Sequence, residues 1–135
     1  MLFDTNVVSD ARRRDRTTEA FKIKIDSFPD RETFISVLTL TEIRIGIQRQ
    51  SKRDRTFERV LNAWLRTVVE DFRGRILPIT QPIALLAGTL PCSLQQPTYD
   101  ALIAATALHH GHTVVTRNLR DFMALGVATL DPWQG

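Results

Sequence analysis

Five short, mostly apolar runs punctuate the chain: Met1–Phe3, Thr33–Val37, Arg75–Ile79, Thr113–Thr116 and Val127–Leu130. None is longer than five residues, and β-branched residues are common in the middle three. Between them apolar positions recur at helical spacing. Short apolar strands alternating with helices predict βαβ crossovers around a buried parallel sheet of about five strands. The crossovers are then right-handed, with helices on both faces. Several helix ends are legible. Thr39 is expected to cap a helix carrying Leu40, Ile43 and Ile47. Asp54 opens a long one, with Phe57, Leu61, Trp64, Val68 and Phe72 near helical period. A third runs from Thr98 to a stop at Gly111, and Asn118 opens a short one ending at Leu125–Gly126. Earlier helices are expected near Val7–Arg14 and Thr17–Phe28.

In such a sheet, the C-terminal strand ends and the helix N-termini share one edge, where ligands usually bind. Asp4 directly follows the first strand. Glu42 is expected in the first turn of the helix after the second strand, Asp100 in the first turn of the helix opened by Thr98, and Asp121 just past the fourth strand. Four separate elements thus deliver one carboxylate each to a single edge. Each acid also has a purely structural explanation. Asp4 suits a helix cap, Thr39–Glu42 a capping box, Asp100 a response to its helix dipole, and Asn118–Asp121 a weaker cap. The ensemble and the expected side-chain directions argue for more. Asp100 shares a face with Ile103, Ala104, Ala107 and Leu108, so it is expected to point inward. Two carboxylates ~5 Å apart repel by roughly 3 kcal/mol at an effective dielectric of about 20. Four such groups need protons or a divalent cation. With no organised Cys or His, an all-oxygen site favours Mg²⁺ or Mn²⁺ over zinc. His109, His110 and His112 cluster at the far end of the Asp100 helix, where they are expected to complement its dipole.

Charge and length narrow the reading. The 135 residues suit one domain, 1–135, and 43% hydrophobic with 24% charged residues excludes wholesale disorder. The apolar runs are too short to cross a bilayer. The acid at position 4 does not suit a secretory leader, so a cytoplasmic protein with no membrane partner is expected. The single cysteine, Cys92, excludes an intrachain disulfide. The net charge is +3, and eighteen basic residues against the eleven acids outside the four leave the rest of the molecule at +7. An acidic cleft in a basic, arginine-rich body suits a polyanion whose phosphates meet the ion. Arg12, Arg13, Arg14 and Arg16 are expected to border the cleft, and Arg55, Arg59 and Arg66 line one face of the long helix.

The blocks Phe3–Asp10 (FDTNVVSD), Ile35–Ile47 (ISVLTLTEIRIGI), Tyr99–Gly111 (YDALIAATALHHG), Thr113–Phe122 (TVVTRNLRDF) and Asp131-Pro132-Trp133 span nearly the whole chain. Together they resemble the PIN-domain ribonucleases, specifically the toxins of VapBC-type toxin–antitoxin pairs in the FitB-like branch. The resemblance implies a three-layer α/β/α sandwich and a Mg²⁺-dependent endoribonuclease, with Mn²⁺ a plausible substitute. Its four acids map to Asp4, Glu42, Asp100 and Asp121, with Asp4 and Asp100 as principal metal ligands. Asn6, Thr116 and Asn118 match polar positions that support the site or orient water. The implied partners are an RNA substrate, a small antitoxin covering the cleft, and a second copy in a dimer or a toxin–antitoxin hetero-oligomer. The apolar stripe from Phe57 to Phe72 offers that antitoxin a groove. Two positions depart from the pattern: Asp10 stands where Glu is common, and Asp131 where Asn is. Asp131 is a rival fifth acid, read as a strand terminator. The Gly88–Pro97 segment is individual to this chain and is expected to touch specificity.

Two other functions fit the residues less well. A receiver-type phosphorylation switch needs paired acids after the first strand and a late lysine. Here Asp4 stands alone, and no lysine follows Lys52. A noncatalytic RNA- or antitoxin-binding module of the same fold is disfavoured by the presence of all four acids.

Overall fold

A computed structural model describes residues 1–91 and 98–134. The order is β1 (Leu2–Phe3), α1 (Thr5–Arg12), α2 (Glu19–Asp26), β2 (Phe34–Ser36), α3 (Val37–Ser51), α4 (Arg55–Asp71), β3 (Ile76–Leu77), α5 (Gln81–Ala87), α6 (Thr98–His110), β4 (Val114–Val115), α7 (Leu119–Ala124) and β5 (Thr129–Leu130). Each strand falls inside a run the hydrophobic pattern marks out. The strands form one all-parallel sheet in the order β3-β2-β1-β4-β5.

Successive residues of a strand point to opposite faces, and the core divides accordingly. Leu2 and Val114 join Ile83, Ile103, Ala104 and Phe122 on one face of the sheet. Phe3 and Val115 join Val7, Phe21, Ile35, Ile43, Leu61 and Val68 on the other. Helices α5–α7 therefore cover one face and α1–α4 the other, giving the expected three layers. Covering on both sides explains why β1 and β4 are apolar throughout and fully or nearly fully buried.

The strand order places a switch point at the centre. From β1 the chain moves outward to β2 and β3, then returns to lay β4 on β1's other side. Open α/β sheets bind ligands outside the carboxyl ends of the strands at such a point. Asp4 leaves β1 there and Thr116 leaves β4, with the Asp4 N–H still donating to Val115 O at 2.9 Å.

Some local expectations change. Ser36, not Thr39, caps α3: its Oγ accepts from Leu38 N at 3.0 Å. β2 passes straight into the helix, so Thr39 lies a turn inside it, fully buried, and Glu42 belongs to the second turn. The Thr39–Glu42 capping box therefore does not form. α1 begins earlier than expected because Asp4 caps it, and α2 is shorter, opened by Thr18. The sequence reading assigned nothing to α5. Pro82 reads as a breaker, yet in the first turn its missing N–H costs no helix bond. α6 is buried nearly all round rather than along one stripe, and Leu108 is 39% exposed. Gly111 (φ 70°) ends it as expected. His109 and His110 lie in its last turn, while His112 follows the helix and stacks on Phe34 at 4.6 Å, its pKa lowered by burial.

Candidate active site

The carboxylate of Asp4 is 7% exposed and held from three directions. As N-cap of α1 it accepts from Thr5 N through Oδ1 at 2.8 Å. Its Oδ2 accepts from Thr116 Oγ1 at 2.9 Å and Asn6 Nδ2 at 3.2 Å. Burial nonetheless dominates and raises its pKa, with these hydrogen bonds opposing. Three donors leave part of the lone-pair capacity of a carboxylate unused.

Thr116 is fully buried and saturated. Its one proton goes to Asp4, while its oxygen accepts from Asn118 N at 2.9 Å and Asn6 Nδ2 at 3.4 Å. Asn6 also accepts from Arg117 N through Oδ1 at 3.3 Å, tying α1 to the segment after β4. Asn118 enters this network through its backbone, and its side chain does not cap α7.

Glu42 is fixed by a residue the sequence reading overlooked. Thr5 Oγ1 donates to Glu42 Oε1 at 2.8 Å. Having one proton, that hydroxyl can only accept from Thr39 Oγ1, 3.1 Å away. The Thr39–Thr5–Glu42 chain thus joins α3 to the start of α1. A buried threonine one turn into a helix, facing a threonine beside the first acid, is a signal only once the two helices are known to pack. Glu42 is half-buried, and its pKa rises first through burial and then through Asp4, against the Thr5 bond.

Asp100 carries the strongest electrostatic signature. Its pKa is raised to about 6 by burial, then by Asp4, Asp121 and Glu42 in that order. The four predicted acids therefore share one electrostatic neighbourhood, although they come from four elements. Among the described residues the Asp100 carboxylate accepts no hydrogen bond. Nor, among the described residues, does any of Asp4, Glu42 and Asp100 form an ion pair with a basic side chain. A half-buried carboxylate with three acidic neighbours and no donor suits a hard divalent cation. Among the described residues no three Asp, Glu, His or Cys side chains form a ready-made metal cage, while Mg²⁺ commonly takes only one or two carboxylates and keeps several waters.

The other candidates separate from this cluster. Asp131 accepts from Trp133 N at 2.8 Å, closing the turn after β5. Asp10 pairs with Arg117 at 3.2 Å, and the Arg117 guanidinium lies 4.0 Å over the Trp133 ring. Of the arginines after Asp10, Arg12 and Arg13 line a groove that also holds Glu42. Arg14 pairs with Asp26, and Arg12 lies over Phe57 and Trp64 at the opposite end of α1. From there the groove runs between α1, α3 and α4, past Gly46 to Thr5 and Glu42. On the α4 stripe Leu61, Leu65 and Val68 are spent on the core, while the partly buried Phe57 and Trp64 form a groove wall. In the Gly88–Pro97 segment, residues 92–97, Cys92 included, lie outside the described residues.

The profile of the PIN domain matches residues 1–126. The chain belongs to the PIN-domain family. Among curated relatives of this PIN chain, the toxin FitB of Neisseria gonorrhoeae is 30% identical over 98% of each chain. The VapC ribonuclease Y4jK of Sinorhizobium fredii is 29% identical over 99% of this chain and 98% of its own. The crystal structure of FitAcB from N. gonorrhoeae superposes with a TM-score of 0.88 at 31% identity, covering 99% of both chains. The PIN chain is thus homologous to the FitB and VapC toxins over nearly its full length.

Proposed function

We propose that this PIN chain, as one catalytic domain over residues 1–135, is a metal-dependent endoribonuclease and the toxin of a type II toxin–antitoxin pair. The observation that carries the reading is the setting of Asp100: burial first, then the charges of Asp4, Asp121 and Glu42, raise its pKa to about 6, and among the described residues no basic side chain pairs with it. Relatives named as a toxin and as a ribonuclease support the assignment.

Asp4 and Asp100 would hold Mg²⁺, or Mn²⁺ in its place, with Asp121 contributing directly or through water. Such an ion supplies positive charge against the charge developing on the scissile phosphate. Asp4 is fixed by Thr5, Asn6 and Thr116, so its remaining acceptor capacity is aimed before substrate arrives. Glu42, steadied by Thr5, orients the attacking water and takes its proton. Asn6 and Thr116 hold the Asp4 side of the site, and Asn118 supports Thr116 through its N–H. Water is the nucleophile, so the ribose 2′-hydroxyl is not consumed.

The partner reading follows the same geometry. A small antitoxin would lay an apolar segment against Phe57 and Trp64 and bring a basic side chain toward Glu42 and the other acids. The active unit is read as a cytoplasmic homodimer or toxin–antitoxin hetero-oligomer. No described helix is long and apolar enough to cross a membrane. The test is incubation of the purified chain with RNA in Mg²⁺ and in excess chelator. Cleavage in Mg²⁺ alone, without 2′,3′-cyclic phosphate ends, is expected. Full cleavage in chelator, or cyclic products, overturns the scheme.

A further inference from the structure

On the face of the α3–α4 hairpin turned away from the groove, three shallow hollows adjoin, sharing Arg44, Lys52, Arg59 and Asn62. Seven basic side chains line them against two acidic ones, Glu58 and Glu70. The local excess of +5 is greater than the +3 of the entire chain. Glu70 is already engaged by Arg73. All seven cations are exposed, and among the described residues none forms an ion pair. Arg44 donates instead to Asn62 Oδ1 at 2.8 Å, bridging the two helices.

The spacing is regular as well as dense. Arg55, Arg59, Asn62 and Arg66 recur every three or four residues along one face of α4. Four residues rise about 6 Å, close to the separation of neighbouring phosphates along a nucleic-acid strand. Arg49, Lys52 and Arg53 continue the surface around the hairpin tip. Seven like charges repel one another, and the two acids on this face, Glu58 and Glu70, offset them only in part. A polyanion offsets the rest. Guanidinium forks match phosphate oxygens, and the hollows contain no aromatic ring on which a base would stack.

We infer that the outer face of the α3–α4 hairpin is a second, sequence-indifferent RNA-binding surface that grips the substrate backbone away from the cleavage site. The choice of RNA as the polyanion rests on the nuclease reading above. The surface begins beside Leu40 and Arg44, which flank Glu42 on α3, and a helix is about 10 Å across. An RNA strand leaving the cleft therefore reaches it after a few nucleotides, beyond the span of a short oligonucleotide held in the cleft.

The test is fluorescence anisotropy of the full chain in chelator, where RNA is bound without being cut. A long single-stranded RNA is compared with a tetranucleotide. Arg49→Ala/Lys52→Ala/Arg53→Ala and Arg44→Ala/Arg59→Ala are set against Lys24→Ala/Arg31→Ala, which removes two charges elsewhere. Each lost phosphate contact lowers the salt slope for single strands by about 0.7. The tip variant should therefore lose roughly tenfold in affinity for the long RNA with a slope shallower by about 2, and leave tetranucleotide binding unchanged. The control variant should match the parent. Equal long-RNA binding by all variants overturns the inference, as does binding of polyglutamate as tight as that of RNA, which assigns the face to an acidic protein. Cleavage in Mg²⁺ is scored separately: a parent that binds through the hairpin yet never cuts RNA refutes the nuclease reading alone.

Discussion

Thr116 Oγ1 donates to Asp4 Oδ2 across 2.9 Å in the buried centre of the molecule, 112 positions apart in the chain. The bond spans the switch point between β4 and β1, and it settles which way the Asp4 carboxylate faces. Two more partners converge on the same hydroxyl, the Asn118 N–H and the Asn6 amide.

Thr116→Val keeps the shape and removes that hydroxyl. It leaves Asp4 short of a donor and two N–H groups short of an acceptor in a buried site. The expected cost is about 1–3 kcal/mol of stability, read by chemical denaturation. A fall in RNA cleavage of about 10–100-fold is expected with it, as for other partners that orient metal ligands. Thr116→Ser retains the hydroxyl and should keep most of both.

Asp100 sets the pH dependence of the metal-free protein. Its folded pKa, about 6, lies above the 3.8 of the unconstrained group. The folded state thus binds this proton more tightly than the unfolded chain. The stabilisation is full below about pH 4 and is lost as pH rises through about 6. Burial raises Asp4 and Glu42 in the same direction. His112, lowered by burial, works oppositely below pH 6.5. The Asp100 contribution is therefore read as a difference from Asp100→Asn. In chelator, the melting temperature of the parent should gain on that of Asp100→Asn as pH falls from 7.5 to 5. At pH 7.5 the variant should be the more stable of the two.

Gly46 stands in the middle of α3, on the groove that leads to Glu42, and a Cβ added there meets nothing within 4 Å. Glycine at such a helical position costs about 0.5–1 kcal/mol relative to alanine. Nothing in the chain's own packing repays it, and a partner segment needing close approach would. Gly46→Ala should raise stability by about that amount and leave RNA cleavage unchanged. Its affinity for the cognate antitoxin should drop severalfold by titration calorimetry, and Gly46→Leu should lower it further.

Much of this was legible in the residues because the signals are local. Strands buried on both faces must be apolar at every position, so Leu2-Phe3 and Val114-Val115 stand out from amphipathic helices. Acids just after a strand or in the opening turns of a helix are brought toward one edge by parallel topology, as the influence of Asp4, Asp121 and Glu42 on Asp100 illustrates. What escaped was relational. Thr5 and Thr39 matter because α1 packs on α3, which no spacing within either segment announces. α5 hid behind Pro82, and the cap of α3 was misplaced because Ser36 serves both as the end of a strand and as the start of a helix.

Titration calorimetry with Mn²⁺ at pH 7.5 addresses the central claim most directly. The parent and Asp10→Asn, whose carboxylate faces Arg117 instead, should show saturable binding, while Asp4→Asn and Asp100→Asn should bind far more weakly or not at all. Undiminished binding in those two variants, or none in the parent, would contradict a cation site built from these acids.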